Sequence, residues 1–398
     1  MLKGKTVVLG VTGSISAYKM ANVASALCKE GADVHVVMTK NAANFINPIT
    51  FETLTKNKCI VDTFDRNTKL HVAHITLSQT ADVIMIAPAS ADVIGKLANG
   101  IADDMLTSMA VAATCKIMVA PAMNTHMYHN KIVQDNIQKL KHYGFEIIEP
   151  AVGLLACRAV GDGKLPDDKT LLGYIRREIE CEKDMTGVKV LVTAGPTVEK
   201  IDPVRYITNH SSGKMGYALA EAAAKRGADV TLISGPVNLE PPMFVKTVKV
   251  ESAKDMYNAV TDAFFDCDIL IKAAAVADYT PEAVSDEKIK KNDGTLSLAL
   301  SKTKDILKAV GQLKKNNQFV CGFSMETSNL VENSKKKLAS KNCDMIVANN
   351  LKDDGAGFGV DTNKVTILTN DSVRSLDVLS KKEVAAQVLD EIMKRYGK

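Results

Sequence analysis

Apolar residues in this chain come in short unbroken runs, and each run is followed by a stretch with helical period. Residues 5–11 (KTVVLGV) form the first run, ending at Thr12-Gly13-Ser14; a helical pattern then reaches about Glu30, and Asp33–Met38 is the next run. The cycle recurs, with strands expected at Ala81–Ala87, Lys116–Ala120 and Phe145–Glu149, and helices at Ala89–Ala98, Asp104–Ala113 and Lys131–Tyr143. Continuous apolar strands separated by helices predict a parallel sheet covered on both faces. At Val188–Thr193 the pattern restarts, with a helix over Lys214–Arg226 and strands at Asp229–Ile233, Asp268–Ala273, Phe319–Phe323, Met345–Ala348 and Val365–Leu368. A last helix covers Lys381–Arg395. The tetrapeptide GADV closes the first helix of each half, at Gly31–Val34 and Gly227–Val230, with Gly ending the helix and Val opening the next strand. The expected fold is α/β, two Rossmann-like or flavodoxin-like parallel-sheet domains over 1–182 and 187–398, divided in the charged stretch Glu178–Thr186.

Composition narrows the function. The length of 398 residues suits two or three domains. Lys plus Arg is 50 against 46 Asp plus Glu, a net charge of +4 without long blocks of one sign. This balance speaks against a nucleic-acid binder or a polybasic membrane anchor. The eight Cys lie singly, with no CxxC, and read as reduced thiols of a cytoplasmic enzyme. No stretch is apolar for the length of a membrane span, and the first strand runs into a glycine turn instead of a cleavage site.

In open parallel sheets ligands collect at the carboxyl ends of strands. Gly13-Ser14 leads into a helix, so it is either a phosphate cradle or a short βα connection. The second strand of each half ends in Thr39 and Ser234, not in the acid that holds a dinucleotide's ribose, and neither first turn spells GxGxxG; a mononucleotide fits better than NAD. Ala87-Pro-Ala-Ser-Ala-Asp92 and Pro121-Ala-Met-Asn124 are either small-residue approaches for a flat ligand or ordinary loop starts. His71/His74 and His126/His129 have i, i+3 spacing but no neighbouring ligand set for a metal, so each is a solitary imidazole or a packed one. Cys157, ahead of Gly161-Asp-Gly163, is an inert thiol or one carried on a flap, and the glycines favour the flap. In the second half the first turn is enlarged through Asp202-Pro-Val-Arg-Tyr206 and Asn209-His-Ser-Ser-Gly-Lys-Met-Gly216. Ser211, Ser212 and Gly213 would cradle an anion there, with Lys214 and Arg205 as counter-charges. Lys288–Lys291 and Lys335–Lys341 either meet a triphosphate or form solvated faces.

Taken in order, GVTGSISAYK, the element around His74, PASAD, PAMN and the AC element at Cys157, then TAGPT, DPVRYITNHSSGKMG, AAAVADY, KIKK, GFSMET and the basic helix before DMIVANN, form a known combination. Over essentially its whole length the chain resembles the bifunctional phosphopantothenoylcysteine decarboxylase/phosphopantothenate–cysteine ligases of coenzyme A biosynthesis. The resemblance implies FMN in the first half, its phosphate at Gly13 and Ser14 with contacts from Thr39 and Ser90. His74 would be the base, Asn124 would hold the substrate and Cys157 would return a proton. For the second half it implies activation of 4′-phosphopantothenate by CTP to an acyl-cytidylate, attack by the cysteine amine and release of CMP. Lys288 would stabilise charge as the acyl-cytidylate forms and Asn209 would orient the acyl group. CTP would meet Asp278, Lys288, Thr303, Lys304, Asp305, Ile306, Phe323, Lys337 and Lys341, with Mg²⁺ bridging its phosphates, and Arg205 would meet phosphopantothenate. A homo-oligomer is implied too, with a trimer-based decarboxylase core and paired ligase domains, up to a dodecamer.

The chain departs from the family pattern at Arg158 and Lys164 around the flap, at Lys304 in place of a proline, and at Asp92 in place of an amide. Two other readings compete: a non-catalytic flavoprotein-fold regulatory subunit, against which stand the histidine, asparagine and cysteine together, and a nicotinamide-dependent reductase, which lacks its acid.

Overall fold

The computed structural model of the chain describes residues 2–64, 72–154, 160–290, 296–326, 329–350, 357 and 359–397. It divides into two compact units, Met1–Glu182 and Lys183–Lys398.

The first unit runs β1 (Thr6–Val11), α1 (Met20–Lys29), β2 (Asp33–Met38), α2 (Pro48–Thr55), α3 (Ala73–Thr80), β3 (Val83–Ala89), α4 (Ala91–Ala98), α5 (Met105–Ala112), β4 (Lys116–Pro121), α6 (Thr125–Tyr128), α7 (Lys131–His142) and β5 (Glu146–Ile147). An antiparallel hairpin, β6 (Ala151–Leu154) and β7 (Val160–Lys164), and α8 (Asp168–Ile179) complete it. The five-stranded sheet is parallel throughout, in the order β2-β1-β3-β4-β5. Side chains alternate across a strand, so Val7, Leu9 and Val11 enter one core with Met20, Leu27, Phe51 and Ile175, while Val8 enters the other with Ile84, Leu106 and Leu140. Both faces are buried, which is why the strands read as unbroken apolar runs. The helix expected after Gly13-Ser14 begins as a 3-10 turn, Ile15–Lys19, capped by Ser14.

The second unit begins with β8 (Lys189–Ala194), β9 (Val198–Lys200), β10 (Tyr206–Thr208), α9 (Lys214–Lys225), β11 (Asp229–Ser234), β12 (Val245–Lys249), α10 (Ala253–Phe264) and β13 (Ile269–Lys272). It continues with β14 (Tyr279–Pro281), β15 (Leu300–Lys302), α11 (Ile306–Leu313), β16 (Phe319–Glu326), α12 (Leu330–Ser340) and β17 (Met345–Asn350). The short β18 (Thr362–Asn363), β19 (Val365–Thr369), β20 (Val373–Ser375), β21 (Leu379–Ser380) and α13 (Lys381–Met393) end the chain. The main sheet has the order β12-β11-β8-β13-β16-β17-β19-β20. Its first six strands are parallel, in the doubly wound order whose switch point lies between β8 and β13. The expectation of a wholly parallel sheet fails at the far edge, where β19 is antiparallel to β17 and β20 to β19. A parallel return needs a long crossover, usually helical, whereas the sequence from Leu351 to Asp361 is short and rich in Gly and Asp.

Candidate functional site

In each unit the strands on either side of the switch point are tied by a threonine hydroxyl. Thr12, fully buried after β1, donates to the Pro88 carbonyl at 2.7 Å and accepts from the Ser90 N–H at 2.9 Å. Thr193 accepts from Ala274 N–H at 3.1 Å, and Thr197 from Ala277 N–H at 3.0 Å. These bonds occupy backbone groups where the sheet ladder splays apart, and so hold the crevice of each unit open in one shape.

Gly13, Ser14, Thr39, Ser90 and Asn124 follow β1, β2, β3 and β4, so all five lie at the carboxyl end of the first sheet. At Gly13 the backbone passes so close to its neighbour that a Cβ would come 2.7 Å from that of Asn41. Ser90 caps α4, and Asn124 caps α6 by accepting from the His126 N–H at 2.9 Å. The β6–β7 hairpin docks on the Asn124 segment: Met123 N–H donates to Gly163 O at 3.0 Å, Thr125 Oγ1 to Asp162 O at 2.8 Å, and His129 pairs with the Asp162 carboxylate at 2.9 Å. A Cβ on Gly163 would lie 2.2 Å from Met123 O, so only glycine allows this approach. Residues 155–159, Cys157 and Arg158 among them, lie outside the described residues, as does His71. His74 is half-buried in the first turn of α3, on a different element from the strand-end residues. His126 lies in the four-residue α6 and His129 is its C-cap, the His129 N–H donating to Thr125 O at 2.9 Å.

In the second unit a cavity of about 490 Å³ opens beside β13. Of the nine residues singled out for a nucleotide, Asp278, Thr303, Lys304, Asp305, Ile306, Phe323, Lys337 and Lys341 all line it. Thr303 is stitched to the opposite wall, its N–H donating to Asp278 O at 3.0 Å and its hydroxyl to Ala277 O at 2.6 Å. Lys304, standing where a proline was expected, places its ammonium 4.9 Å from the centre of the Tyr257 ring. Asp305 caps α11 and accepts from Lys341. Burial alone would raise its carboxyl, but the Lys341 and Lys308 hydrogen bonds and the charges of Lys341 and Lys272 outweigh that and hold it low. Lys337 donates to Glu326 at 2.7 Å and to Ser324 at 2.9 Å.

A second cavity, about 380 Å³, shares Lys272, Val276, Asp278, Phe323 and Lys337 with the first and extends to Asn209, Ser211, Ser212 and Gly213 at the start of α9. Gly213 has φ +77, and a Cβ on Gly216 would lie 2.5 Å from that of Ala194, so the glycines seat the helix directly on β8. Lys214 turns to Asp361 and Gly359 O, both at 2.7 Å.

Arg205 also has partners within the protein. Its guanidinium donates to Asp202 at 3.0 Å and to Ile289 O at 3.1 Å. Asp202, 2% exposed, also accepts from the N–H groups of Val204, Arg205 and Ile289. Both backbone groups of Ile289 are thereby clamped, fixing the chain next to Lys288, which does not itself line the 490 Å³ cavity. Residues that sequence reasoning passed over are Lys272, Thr12, Thr193 and the clamping role of Asp202. Only Lys272 carried a signal, a cation ending the apolar run Ile269–Ile271.

Among the described residues no group of three or more His, Cys, Asp or Glu converges as a metal site, and no helix is long and apolar enough to cross a membrane. Burial pushes the thiols of Cys59, Cys267 and Cys343 up to about 12, leaving them inert as nucleophiles.

Residues 1–180 match the Flavoprotein family model, and residues 185–396 match that of the DNA/pantothenate metabolism flavoprotein C-terminal domain. The chain is 48% identical over 396 residues to the coenzyme A biosynthesis bifunctional protein CoaBC of Bacillus subtilis, covering 98% of this chain and 97% of the relative. To the protein of the same name from Haemophilus influenzae it is 43% identical over 397 residues, covering 100% and 99%. A crystal structure of the C-terminal domain of a coenzyme A biosynthesis bifunctional protein CoaBC is 46% identical, covering 54% of this chain and 97% of that one with a TM-score of 0.47. On the family match to the second unit and these full-length relatives, the chain belongs to the family of bifunctional coenzyme A biosynthesis proteins, CoaBC.

Proposed function

We propose that the second unit joins 4′-phosphopantothenate to cysteine at the expense of CTP, and that the first unit decarboxylates the product, phosphopantothenoylcysteine, to 4′-phosphopantetheine with FMN. The observation that carries this reading is the meeting of Asp278, Thr303, Lys304, Asp305, Ile306, Phe323, Lys337 and Lys341 around one cavity at a doubly wound switch point. Its volume suits a nucleotide. A carboxylate does not react with an amine until its oxygen is made a leaving group. The substrate carboxylate therefore bonds the α-phosphorus of CTP and pyrophosphate departs; the cysteine amine then attacks the acyl carbon, loses a proton, and CMP departs. Lys288 offsets the charge of the first step and Asn209 orients the acyl group, with Mg²⁺ entering on the nucleotide's phosphates. Loss of one such donor typically costs about 2.7–4 kcal/mol of transition-state stabilisation.

In the first unit the residues fit FMN. The close backbone at Gly13, the Ser14 hydroxyl and the flanking Thr39 and Ser90 suit its phosphate and ring edge. Bound FMN supplies a two-electron acceptor that returns the electrons at the end of the cycle. His74 takes a proton from the substrate, Asn124 holds its carboxylate or amide, and Cys157 returns a proton. The working form in this reading is a cytoplasmic homo-oligomer, with a trimer-based decarboxylase core and paired ligase domains.

The test is an absorbance spectrum of the purified protein, followed by phosphopantothenate, cysteine, Mg²⁺ and CTP with pyrophosphate and carbon dioxide assayed. A flavin spectrum with both products is expected. A flavin spectrum with neither product would favour a non-catalytic flavoprotein.

A further inference from the structure

β8 and β13 go on pairing beyond their last strand residues. Ala275 N–H donates to Gly195 O at 2.9 Å and Thr197 N–H to Ala275 O at 3.2 Å, with a parallel bridge between Pro196 and Ala275. In a parallel ladder of that register the next bond runs from Ala277 N–H to the carbonyl of Thr197. The fully buried Thr197 hydroxyl accepts it instead, at 3.0 Å, and the carbonyl so released accepts from the Thr208 hydroxyl at 2.8 Å. The far side of Ala277 is held as well, its carbonyl accepting from the Thr303 hydroxyl at 2.6 Å. Three hydrogen bonds therefore run in series from Thr208 through Thr197 and Ala277 to Thr303. Thr208 is followed directly by Asn209, which lines the 380 Å³ cavity, while Ala277 and Thr303 line the 490 Å³ one. A side chain without a hydroxyl at 197 leaves Ala277 N–H without its acceptor, or swings the carbonyl back to it and away from Thr208. Either way the series is cut between the two cavities.

We propose that Thr197 is a positioning residue of the ligation step, setting the separation between the ribbon that carries Asn209 and the cavity wall at Ala277 and Thr303. The inference rests on the CTP reading above and extends it to a residue that lines neither cavity. In that reading the carboxylate oriented by Asn209 must reach the α-phosphorus of a nucleotide held against the opposite wall. Asn209 follows β10 and Thr303 follows β15, and these strands belong to separate two-stranded sheets. The threonine series supplies the joint that strand pairing does not. A misplacement of about 1 Å between reacting groups can cost roughly 100-fold in rate while each substrate keeps its own contacts.

The test is the steady-state rate of pyrophosphate release with CTP, Mg²⁺, phosphopantothenate and cysteine, resolved into kcat and KM. It compares the full-length wild type with Thr197→Val, Thr197→Ser, Thr208→Val and the variant carrying both valines, with thermal unfolding measured on the same preparations. Each single valine variant should lose roughly 10- to 100-fold in kcat while its KM for CTP is kept, and Thr197→Ser should recover most of the loss. Because the two bonds lie in one series, the double variant should be no slower than the slower single one, whereas two independent structural injuries would multiply. Multiplied losses, or a Thr197→Val enzyme with the wild-type kcat, overturn the inference. Where the melting transition shows that Thr197→Val does not fold, Thr208→Val decides, since its side chain lies on an exposed ribbon: a lowered kcat with KM kept supports the inference and a wild-type kcat overturns it. A wild type that releases no pyrophosphate overturns the ligation reading and this inference with it.

Discussion

Replacing Thr12 by Val tests whether the hydroxyl tie across the first switch point holds the crevice in shape. The two side chains have nearly the same volume, so the change isolates the hydrogen bonds of a fully buried hydroxyl to Pro88 O and from Ser90 N–H, at 2.7 and 2.9 Å. Each buried backbone group left without a partner costs about 1–3 kcal/mol, and the added methyl returns about 0.8 kcal/mol. The net loss is therefore about 1–5 kcal/mol. For a unit of this size each kcal/mol moves the melting temperature by roughly 2–4 °C, so a loss of ~3 kcal/mol lowers it by roughly 6–12 °C. Thr12→Ser keeps the hydroxyl and gives up one methyl, a loss of about 1 kcal/mol or roughly 2–4 °C. Thermal melts followed by flavin fluorescence, with the flavin content of each purified protein, separate the two variants. Because Ser90 is the residue whose N–H is released, Thr12→Val should also retain less flavin. A Val variant that melts at or above the Ser variant and keeps its flavin would refute the reasoning.

Asp202→Ala frees the Ile289 N–H and takes away the carboxylate that steadies Arg205 against Ile289 O, so pyrophosphate release should fall while carbon dioxide release from phosphopantothenoylcysteine is kept; equal loss of both activities would mean general misfolding instead. Gly163→Ala puts a Cβ against Met123 O at a φ of +112 that L side chains rarely adopt, and the expected result is lost decarboxylation with ligation intact, read in the same paired assay. Burial alone would raise the Glu326 carboxyl, but hydrogen bonds from Lys337, Ser324 and Asn333 and the Lys337 charge outweigh it, leaving the folded value depressed. The stability this contributes is complete above the ordinary glutamate value, about 4.3, and is lost as pH falls through the lower folded value. Denaturation of wild type and Glu326→Gln from pH 7 to 3 should show a gap that is widest near neutrality and narrows in acid; a constant gap would remove the ionised carboxylate from the explanation.

The strand and helix pattern is legible because both sheets are buried on two faces. Val7, Val8 and Leu9 must all be apolar although they point alternately to opposite cores, and the same holds for Val190, Leu191 and Val192. Where burial on both faces stops, the reading weakens. The hairpin strand Val160–Lys164 carries Gly, Asp and Lys and has no apolar run to announce it, and Val373–Ser375 is exposed throughout. The direction of Val365–Thr369 is equally hidden, since periodicity reports burial and not whether a strand returns parallel or antiparallel.

The sites divide in the same way, by whether a residue's role lies in its type or in its partners. Strand-end positions such as Ser90 and Asn124 can be placed from the alternation of elements, and the resemblance supplies candidates for the cavity beside β13. Partnership needs coordinates. Arg205 looks like an anion ligand by type, and the coordinates add that its Nη1 donates to Asp202 and Ile289 O, which makes it part of the frame beside Lys288. Lys272 is the converse: by type it is an ordinary strand-end lysine, and only the coordinates show it half-buried in the lining of two cavities, donating to Ala274 O. The threonine ties make the point for both units together. Thr12 and Thr193 are unremarked among many threonines, but each accepts the N–H that the sheet releases where its first strand parts from its neighbour. Any doubly wound sheet must satisfy a backbone donor at that place, because the crevice that admits the ligand also interrupts the ladder. Filling it with a hydroxyl from the first strand leaves the crevice itself clear, which explains why two units with different ligands use the same residue type there.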